Sequence, residues 1–132
     1  MENKTCIFCE IVARKKPSFK VYEDNEFLGI LDRMPRAIGH TLLLPKKHYR
    51  WVYDVANFGE YWQRALKVTR AIQRAFKPAF ISYVTLGRVV PHAHIHIIPY
   101  ESETDGESFF PSVKNLEDSH MEEIARRIKK EL

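Results

Sequence analysis

Apolar residues along this chain follow two periods, one typical of strands and the other typical of helices. In several short runs Val, Tyr, Phe, Leu and Ile dominate, and residues of this kind favour extended structure. Turn-forming residues or prolines bound these runs, as the pair Asp24-Asn25 does between the first run and the second. The pattern predicts five strands, at residues 20–23, 26–31, 41–44, 80–86 and 92–99.

The longest helical pattern spans residues 58–76. Asn57 is suited to be its N-cap, Glu60 would complete a capping box three residues later, and Pro78 predicts its end. Its apolar stripe is expected to be buried and consists of Phe58, Tyr61, Trp62, Ala65, Val68, Thr69 and Ile72. Tyr61, Trp62 and also Trp51 are assigned to core or dimer packing rather than to a platform for stacking bases.

Two shorter helices are predicted nearer the ends of the sequence. Residues 6–13 form a short helix that stops near Pro17, and residues 116–132 (or 119–132) form an amphipathic tail helix. Ser119 and Glu122 would form a capping box in that tail helix. Its expected buried face consists of Met121, Ile124, Ala125, Ile128 and Leu132.

The order of these elements predicts an α+β fold. Three strands, one long central helix and two further strands lie between a short N-terminal helix and the tail helix, an order that favours a mainly antiparallel sheet. The 132 residues suffice for one hydrophobic core but not for two. We therefore expect a single domain over residues 1–132, with its core at about residues 6–100, a loop at 101–115 and the tail helix at 116–132.

Charge and hydropathy narrow the class of ligand and the compartment. The formal net charge of +4 favours anionic ligands, but the charge is too small and too dispersed for the basic face of a nucleic acid polymer-binding protein. No run approaches the roughly 18 apolar residues of a membrane span, and residues 1–12 lack the pattern of a secretory signal. We expect a cytoplasmic protein whose ligand is a small phosphate compound.

Three histidines alternate with apolar residues in Pro91-His92-Ala-His94-Ile-His96-Ile-Ile-Pro99. Because side chains of a strand alternate between its faces, the three imidazoles would project from one face, about 7 Å apart, with the apolar residues toward the core. A neutral imidazole attacks phosphorus readily, and a second imidazole can stabilise phosphate oxygens or protonate the leaving group. Histidines in this pattern are otherwise metal ligands or structural residues, and the residues alone leave these alternatives open.

Cys6 and Cys9 are the only cysteines. In a reducing compartment a Cys-x-x-Cys pair indicates a metal site or a redox motif rather than a structural disulfide. The pair follows no predicted strand, which disfavours a thioredoxin-like role, and two ordinary thiols are the third alternative.

The segment His92-Ala-His94-Ile-His96-Ile-Ile98 resembles the His-φ-His-φ-His-φ-φ motif, with φ apolar, that defines the histidine triad (HIT) superfamily. Cys6-Ile-Phe-Cys9 resembles the opening of its zinc-containing branch. The segment Gly39-His-Thr-Leu-Leu-Leu-Pro-Lys-Lys-His48 resembles one that carries a supporting histidine and then Pro-Lys-x-His. The resemblance covers about residues 6–100 and implies an α+β fold with a five-stranded antiparallel sheet, usually in a homodimer.

The resemblance also implies an activity: attack on the α-phosphate of a nucleotide, a covalent nucleotidyl-histidine, and its release to water or another acceptor. His94 would be the nucleophile, His96 would contact the phosphate or assist the leaving group, and His40 would support both. Asp32 resembles the acidic residue that binds ribose hydroxyls. The implied ligands of a structural Zn²⁺ are Cys6, Cys9, His48 and His92, and two thiolates with two imidazoles make a closed tetrahedral site.

The loop before the triad departs from the family pattern. Many members carry an Asn and a longer Gly-rich loop with a Gln-Ser or Gln-Thr pair that touches phosphate, whereas here the Asn is absent, Arg88 stands at the Gln position and Val89 replaces the hydroxyl residue. Arg88 is either a solvated surface residue or a phosphate ligand that would favour a longer polyphosphate.

Taken with the residues, the resemblance implies a nucleotide hydrolase or transferase that acts on nucleoside phosphoramidates or dinucleoside polyphosphates, with a purine nucleotide or dinucleotide as substrate. One alternative is a zinc-stabilised nucleotide-binding or interaction module with little turnover. A second is a metallohydrolase with zinc on His92, His94 and His96, which the paired cysteines disfavour because they would draw the zinc to a closed site.

Overall fold

The five strands form one antiparallel sheet in the order β1-β2-β3-β5-β4 in a computed structural model that describes residues 5–103 and 111–132. The strands are β1 (Lys20–Glu23), β2 (Phe27–Leu31), β3 (Thr41–Pro45), β4 (Phe80–Val84) and β5 (Ile95–Tyr100). The helices are α1 (Ile7–Val12), α2 (Phe58–Phe76) and α3 (Asp118–Lys130), with a short 3₁₀ turn at Val52–Asp54. The predicted α+β fold with an antiparallel sheet is confirmed. Part of the loop predicted at residues 101–115 lies outside the described residues.

The two faces of the sheet have different covers. Helices α2 and α3 pack on one face, where Leu43, Ile95 and Ile97 meet Tyr61, Ile72 and Ile128 among other buried residues. On the other face α1 covers only β2 and β3, through Cys6, Phe8 and Cys9 against Leu28, Ile30, Leu42 and Leu44. Strands β2 and β3 are buried on both faces, which explains why their sequences are continuous apolar runs. The part of this second face that α1 does not cover is open and forms a cleft.

Helix α2 has the predicted bounds, but two predicted details of it are wrong. Phe58 is 46% exposed, because it lies in the first turn of the helix; its ring is tilted against that of Trp62, with 6.2 Å between the ring centroids. The capping box does not form, since the Asn57 side chain donates its amide hydrogen to the Glu26 carboxylate instead of capping the helix. The remainder of the predicted stripe is buried, apart from the partly buried Trp62.

The tail helix begins one residue before Ser119, so Ser119 lies inside α3 and the predicted capping box is wrong. Its buried face consists of Met121, Ile124, Ala125 and Ile128, as predicted. Leu132 lies beyond the end of the helix and is exposed, contrary to the prediction. No helix among the described residues combines the length and the apolar character needed to cross a bilayer.

The histidine segment is only partly a strand. β5 starts at Ile95 and β4 ends at Val84, both shorter than the predicted runs, since the last cross-strand pairs are Leu43↔Ile95 and Val84↔His96. His92 and His94 precede the ladder and are held differently: the Ala93 N–H donates to the Tyr49 carbonyl at 2.7 Å. The alternation nevertheless continues, because Ala93 belongs to the same core cluster as Ile95 and Ile97.

Candidate functional site

A cleft of about 660 Å³ opens beside α1 on the partly covered face of the sheet. His94 and His96 line it, together with Asp32 at the end of β2 and the loop at residues 86–90. Most of its other walls are apolar and include Ile7, Phe8, Ile11, Ile30, Leu42, Val84 and Ile98. A concave, mostly apolar cleft of this size with a few convergent polar groups is typical of a binding site for a small molecule.

The imidazole of His94 is held in one tautomer. Its Nδ1 lies 2.7 Å from the main-chain oxygen of His92, and a carbonyl oxygen only accepts, so Nδ1–H donates. The ring is 5% exposed, contacts the Phe8 ring at 5.1 Å, and burial lowers the pKa of His94. His94 therefore carries a lone pair on Nε2, to which no described residue is hydrogen-bonded.

His40 and His96 form a second ordered pair. The main-chain N–H of Arg36 donates to Nδ1 of His40 at 3.1 Å, so the proton of the neutral His40 ring is on Nε2. His40 Nε2 lies 2.9 Å from Nδ1 of His96 and donates to it, which leaves the His96 proton on Nε2. Burial lowers the pKa of His40 to about 3 and that of His96 to about 4. Near pH 7 both rings are neutral, and His96 is a hydrogen-bond donor in the cleft.

Asp32 lies beside this pair. Its Oδ2 is 3.4 Å from His40 Nε2 and 3.8 Å from His96 Nδ1, while Oδ1 accepts the Met34 N–H at 2.9 Å. Burial raises the pKa of Asp32. The carboxylate is a hydrogen-bond acceptor in the wall of the cleft, where Arg33 and Arg36 of the same segment also lie. The sequence did not predict this contact between Asp32 and the histidines.

Four predicted metal ligands meet beneath α1. The sulfur and ring-nitrogen atoms of Cys6, Cys9, His48 and His92 all lie within 4.8 Å of one another. His92 Nδ1 is 3.3 Å from Cys6 Sγ and 3.5 Å from Cys9 Sγ, and His48 Nδ1 is 3.2 Å from Cys9 Sγ. Sulfur and nitrogen ligands of a tetrahedral zinc ion lie roughly 3.5 Å apart, so the cluster fits such an ion.

A further contact orients the His92 ring toward the cluster. Its Nε2–H donates to the Pro45 carbonyl at 2.8 Å, which leaves Nδ1 unprotonated and facing the two sulfurs. Burial lowers the pKa of His92 to about 4, so the ring is neutral as a ligand must be.

The arrangement disfavours a metal on the three triad histidines. Within the described part of the chain, His92 groups with the cysteines and not with His94 and His96. His40 and His96 form a candidate group with Asp32, but their ring nitrogens are 2.9 Å apart, a hydrogen-bond distance shorter than the roughly 3.3 Å between two imidazole ligands of zinc.

The other predicted residues have distinct places. Arg88 lines the cleft and is exposed. Tyr61 is buried with its hydroxyl donating to the Leu43 carbonyl, and Trp62 packs beside it, as the packing assignment predicts. Trp51 lies under the Arg50 guanidinium, outside the cleft lining.

Phe8 and Arg36 were missed by sequence reasoning. Phe8 contacts the rings of both His92 and His94, and its position between the two cysteines was the available signal. Arg36 acts on His40 through its main-chain N–H, for which no side-chain pattern exists.

Two relatives are similar to this chain over about three quarters of its length. The Protein hit of Bacillus subtilis is 38% identical over 110 residues, which cover 78% of this chain and 76% of that protein. The adenosine 5′-monophosphoramidase HNT1 of Saccharomyces cerevisiae is 33% identical over 108 residues, which cover 76% of this chain and 66% of the yeast protein.

Solved structures agree with the fold. A hypothetical histidine triad nucleotide-binding protein of Sulfolobus tokodaii superposes with a TM-score of 0.83 at 32% identity, over 96% of this chain and 91% of that one. A Zn-bound histidine triad family protein of Mycobacterium smegmatis superposes with a TM-score of 0.73 at 29% identity, over 96% and 92% of the two chains. The HIT domain itself matches residues 13–103. Because the family match, the histidine triad and the relatives all agree, the chain belongs to the HIT domain family.

Proposed function

We propose that this protein is a nucleotide hydrolase or transferase in which His94 Nε2 attacks the α-phosphorus of a nucleoside phosphoramidate or a dinucleoside polyphosphate. An N–P bond to His94 forms while the bond from phosphorus to the leaving amine or polyphosphate breaks. Water or another acceptor then attacks phosphorus, and the N–P bond breaks again. The observation that carries the proposal is the hydrogen bond from His94 Nδ1–H to the His92 carbonyl, which leaves Nε2 in the cleft as a free nucleophile.

The neighbouring residues supply binding and charge stabilisation. His96, with its proton on Nε2, donates to a phosphate oxygen or to the leaving group, and His40 holds it in that tautomer. Asp32 accepts a hydrogen bond from a ribose hydroxyl, and the purine base packs against the apolar wall that includes Phe8. Arg88 is placed on the rim, where a guanidinium would bind a longer polyphosphate. The yeast relative that is named a monophosphoramidase supports the phosphoramidate among these substrates.

A structural Zn²⁺ belongs to the same proposal. Cys6, Cys9, His48 and His92 would hold it, and it would supply a fixed link between α1 and the histidine segment rather than chemistry. The support is the fit of the four donor atoms and the orientation of His92 by the Pro45 carbonyl.

Intact-protein mass spectrometry tests the activity. The protein is mixed briefly with adenosine 5′-phosphoramidate and, separately, with a diadenosine polyphosphate. We expect the native protein to gain the mass of one AMP group. The substrate that gives more of this adduct identifies the preferred leaving group, an amine or a polyphosphate. The His94→Ala protein should show no gain. Neither adduct nor released AMP with either donor would contradict the proposal and favour a nucleotide-binding module. AMP release that survives His94→Ala would assign the chemistry to another group.

We propose in addition that the protein is a homodimer that pairs through β4. This strand is an edge of the sheet, and Tyr83 on it and Leu66 on α2 beside it are 41% and 46% exposed. Trp62, which packs on Tyr83 at 5.6 Å, has a buried Nε1–H without a hydrogen-bond partner among the described residues. Pairing two such edges would cover the apolar side chains and remove the open edge. Cytoplasmic localisation stays a prediction.

Light scattering on a sizing column tests the dimer. We expect the native protein at twice its 15.6 kDa chain mass. Leu66→Glu should raise the dissociation constant at least about 100-fold, because an unpaired carboxylate in an interface costs about 3 kcal/mol or more. Leu132→Glu, the same substitution at an exposed leucine beyond α3, is the control and should stay dimeric. A native protein that elutes as a monomer would contradict this pairing.

A further inference from the structure

The loop between β4 and the triad has little to hold it in place through its own side chains. Leu86 is 62% exposed and Val89 is 93% exposed, and Arg88 is also exposed. Only Val90, at its end, packs on the cluster beneath α1. Yet this loop lines the cleft beside His94, and a Cβ built on Gly87 would lie 3.7 Å from His94 Cε1. Its placement therefore depends on a contact from elsewhere in the chain.

Arg50 supplies that contact. Its Nη1 donates to the Gly87 carbonyl at 3.0 Å, and among the described residues it is the only side chain hydrogen-bonded to the loop at residues 86–89. The guanidinium lies 3.7 Å above the centre of the Trp51 ring, which in turn stacks on Tyr53 with an interplanar angle of 6°. A planar guanidinium that stacks on a ring and donates from its edge is held in one orientation, which a lysine ammonium would not be.

The segment that carries Arg50 also contacts the other parts of the site. His48 is a member of the cysteine–histidine cluster, and the Tyr49 carbonyl accepts the N–H of Ala93, between His92 and His94. Three consecutive residues thus contact the cluster, the triad backbone and the loop. The loop is in this way fixed relative to His94 through one short segment.

The main chain of the loop has donors available for a phosphate. Gly87 has a positive φ of 55°, a conformation that suits glycine, and the N–H groups of residues 87–90 have no hydrogen-bond partner among the described residues. Val89 offers no hydroxyl, so any donation from this position comes from the backbone. Successive free N–H groups in a turn of this kind bind anions.

We propose that Arg50 is a positioning residue that holds the Gly87 turn beside His94, so that main-chain N–H groups of the loop contact the phosphate during its transfer. The proposal rests on the function proposed above and adds a residue that acts through the loop rather than by touching the substrate. Arg50→Lys keeps a positive charge at this position and Arg50→Met removes it. Both variants lose the guanidinium that stacks on Trp51 and donates to the Gly87 carbonyl. The two variants thus separate positioning from simple charge.

The experiment compares Arg50→Met and Arg50→Lys with Arg70→Met, a control at an exposed residue of α2 whose guanidinium donates, within the described part of the chain, only to Gln73. We expect kcat of both Arg50 variants to fall about 30- to 100-fold, with a much smaller change in KM. This is the effect expected when hydrogen-bond donors to the reacting phosphate are displaced. Metal content and Tm should match those of the native protein. Millimolar guanidinium should restore activity to Arg50→Ala and have no such effect on Arg70→Ala.

Several results would overturn the proposal. One is an Arg50→Met protein with a native kcat, and another is an Arg50→Lys protein that retains full kcat, which would reduce the role to charge. Loss of metal or of Tm in step with activity would assign Arg50 to stability instead. If the native protein itself forms no nucleotidyl adduct, calorimetric binding of AMP still decides: we expect Arg50→Met to bind AMP about threefold more weakly than Arg70→Met, and equal affinity would overturn the positioning role.

Discussion

His94→Ala is expected to reduce kcat by at least about 10⁴-fold while AMP still binds, because removal of a nucleophile eliminates the covalent route and leaves only binding and charge stabilisation. The surrounding donors, His96 and the loop before the triad, stay in place in this variant. KM should therefore change little compared with kcat. Steady-state hydrolysis of adenosine 5′-phosphoramidate, followed by AMP release, measures both constants.

His120→Ala is the matched control for that variant. His120 is an exposed histidine on α3, the helix on the opposite face of the sheet from the cleft, and its removal should leave kcat unchanged. Metal content of both proteins should equal that of the native chain, since His94 is not one of the four clustered residues. A His94→Ala protein that keeps a hundredth of the native kcat would point to direct attack by water and remove His94 as the nucleophile.

Periodicity predicted the elements of this fold well where burial is one-sided or complete. The bounds of α2 follow from its apolar stripe and from Pro78, and the continuous apolar runs of β2 and β3 reflect burial on both faces. The caps were less predictable. Asn57 had two acceptable partners, the helix and Glu26, and only the tertiary structure brings Glu26 within reach.

The sequence predicted the candidate site only in part, as it did the fold. The alternation of histidines and apolar residues predicted that the imidazoles project from one face of the sheet, and His94 and His96 both line the cleft there, with ring centroids 4.9 Å apart. The grouping of His92 with the cysteines was expected from the family resemblance and not from the alternation, since the ring's orientation depends on the Pro45 carbonyl of another strand. Contacts made by the main chain of Arg36, or by Arg50 on a carbonyl, leave no residue pattern, so they are visible only in three dimensions.

Removal of the metal should lower Tm by roughly 12–20 °C, the equivalent of about 4 kcal/mol for a site filled at a thousand times its dissociation constant. Helix α1 has six residues, too few to be stable alone, and its buried residues are those of the cysteine cluster and Phe8. Without the metal, two sulfurs and two imidazoles would remain close together with no ion to bind them. Calorimetry with and without a chelator measures the shift, and elemental analysis of untagged protein purified without chelator gives the zinc content.

Cys9→Ser tests whether that shift comes from the cluster. The variant should match the chelator-treated native protein in Tm, and further chelator should not change it. Activity should fall with the metal, because the His92 carbonyl that fixes the His94 tautomer belongs to a residue that the ion would anchor. Less than about half an equivalent of zinc per chain, or a native Tm unchanged by chelator, would contradict a structural zinc site. The loss of both stability and turnover in Cys9→Ser would instead show that the cluster which attaches α1 to the sheet also holds the nucleophile in its reactive tautomer.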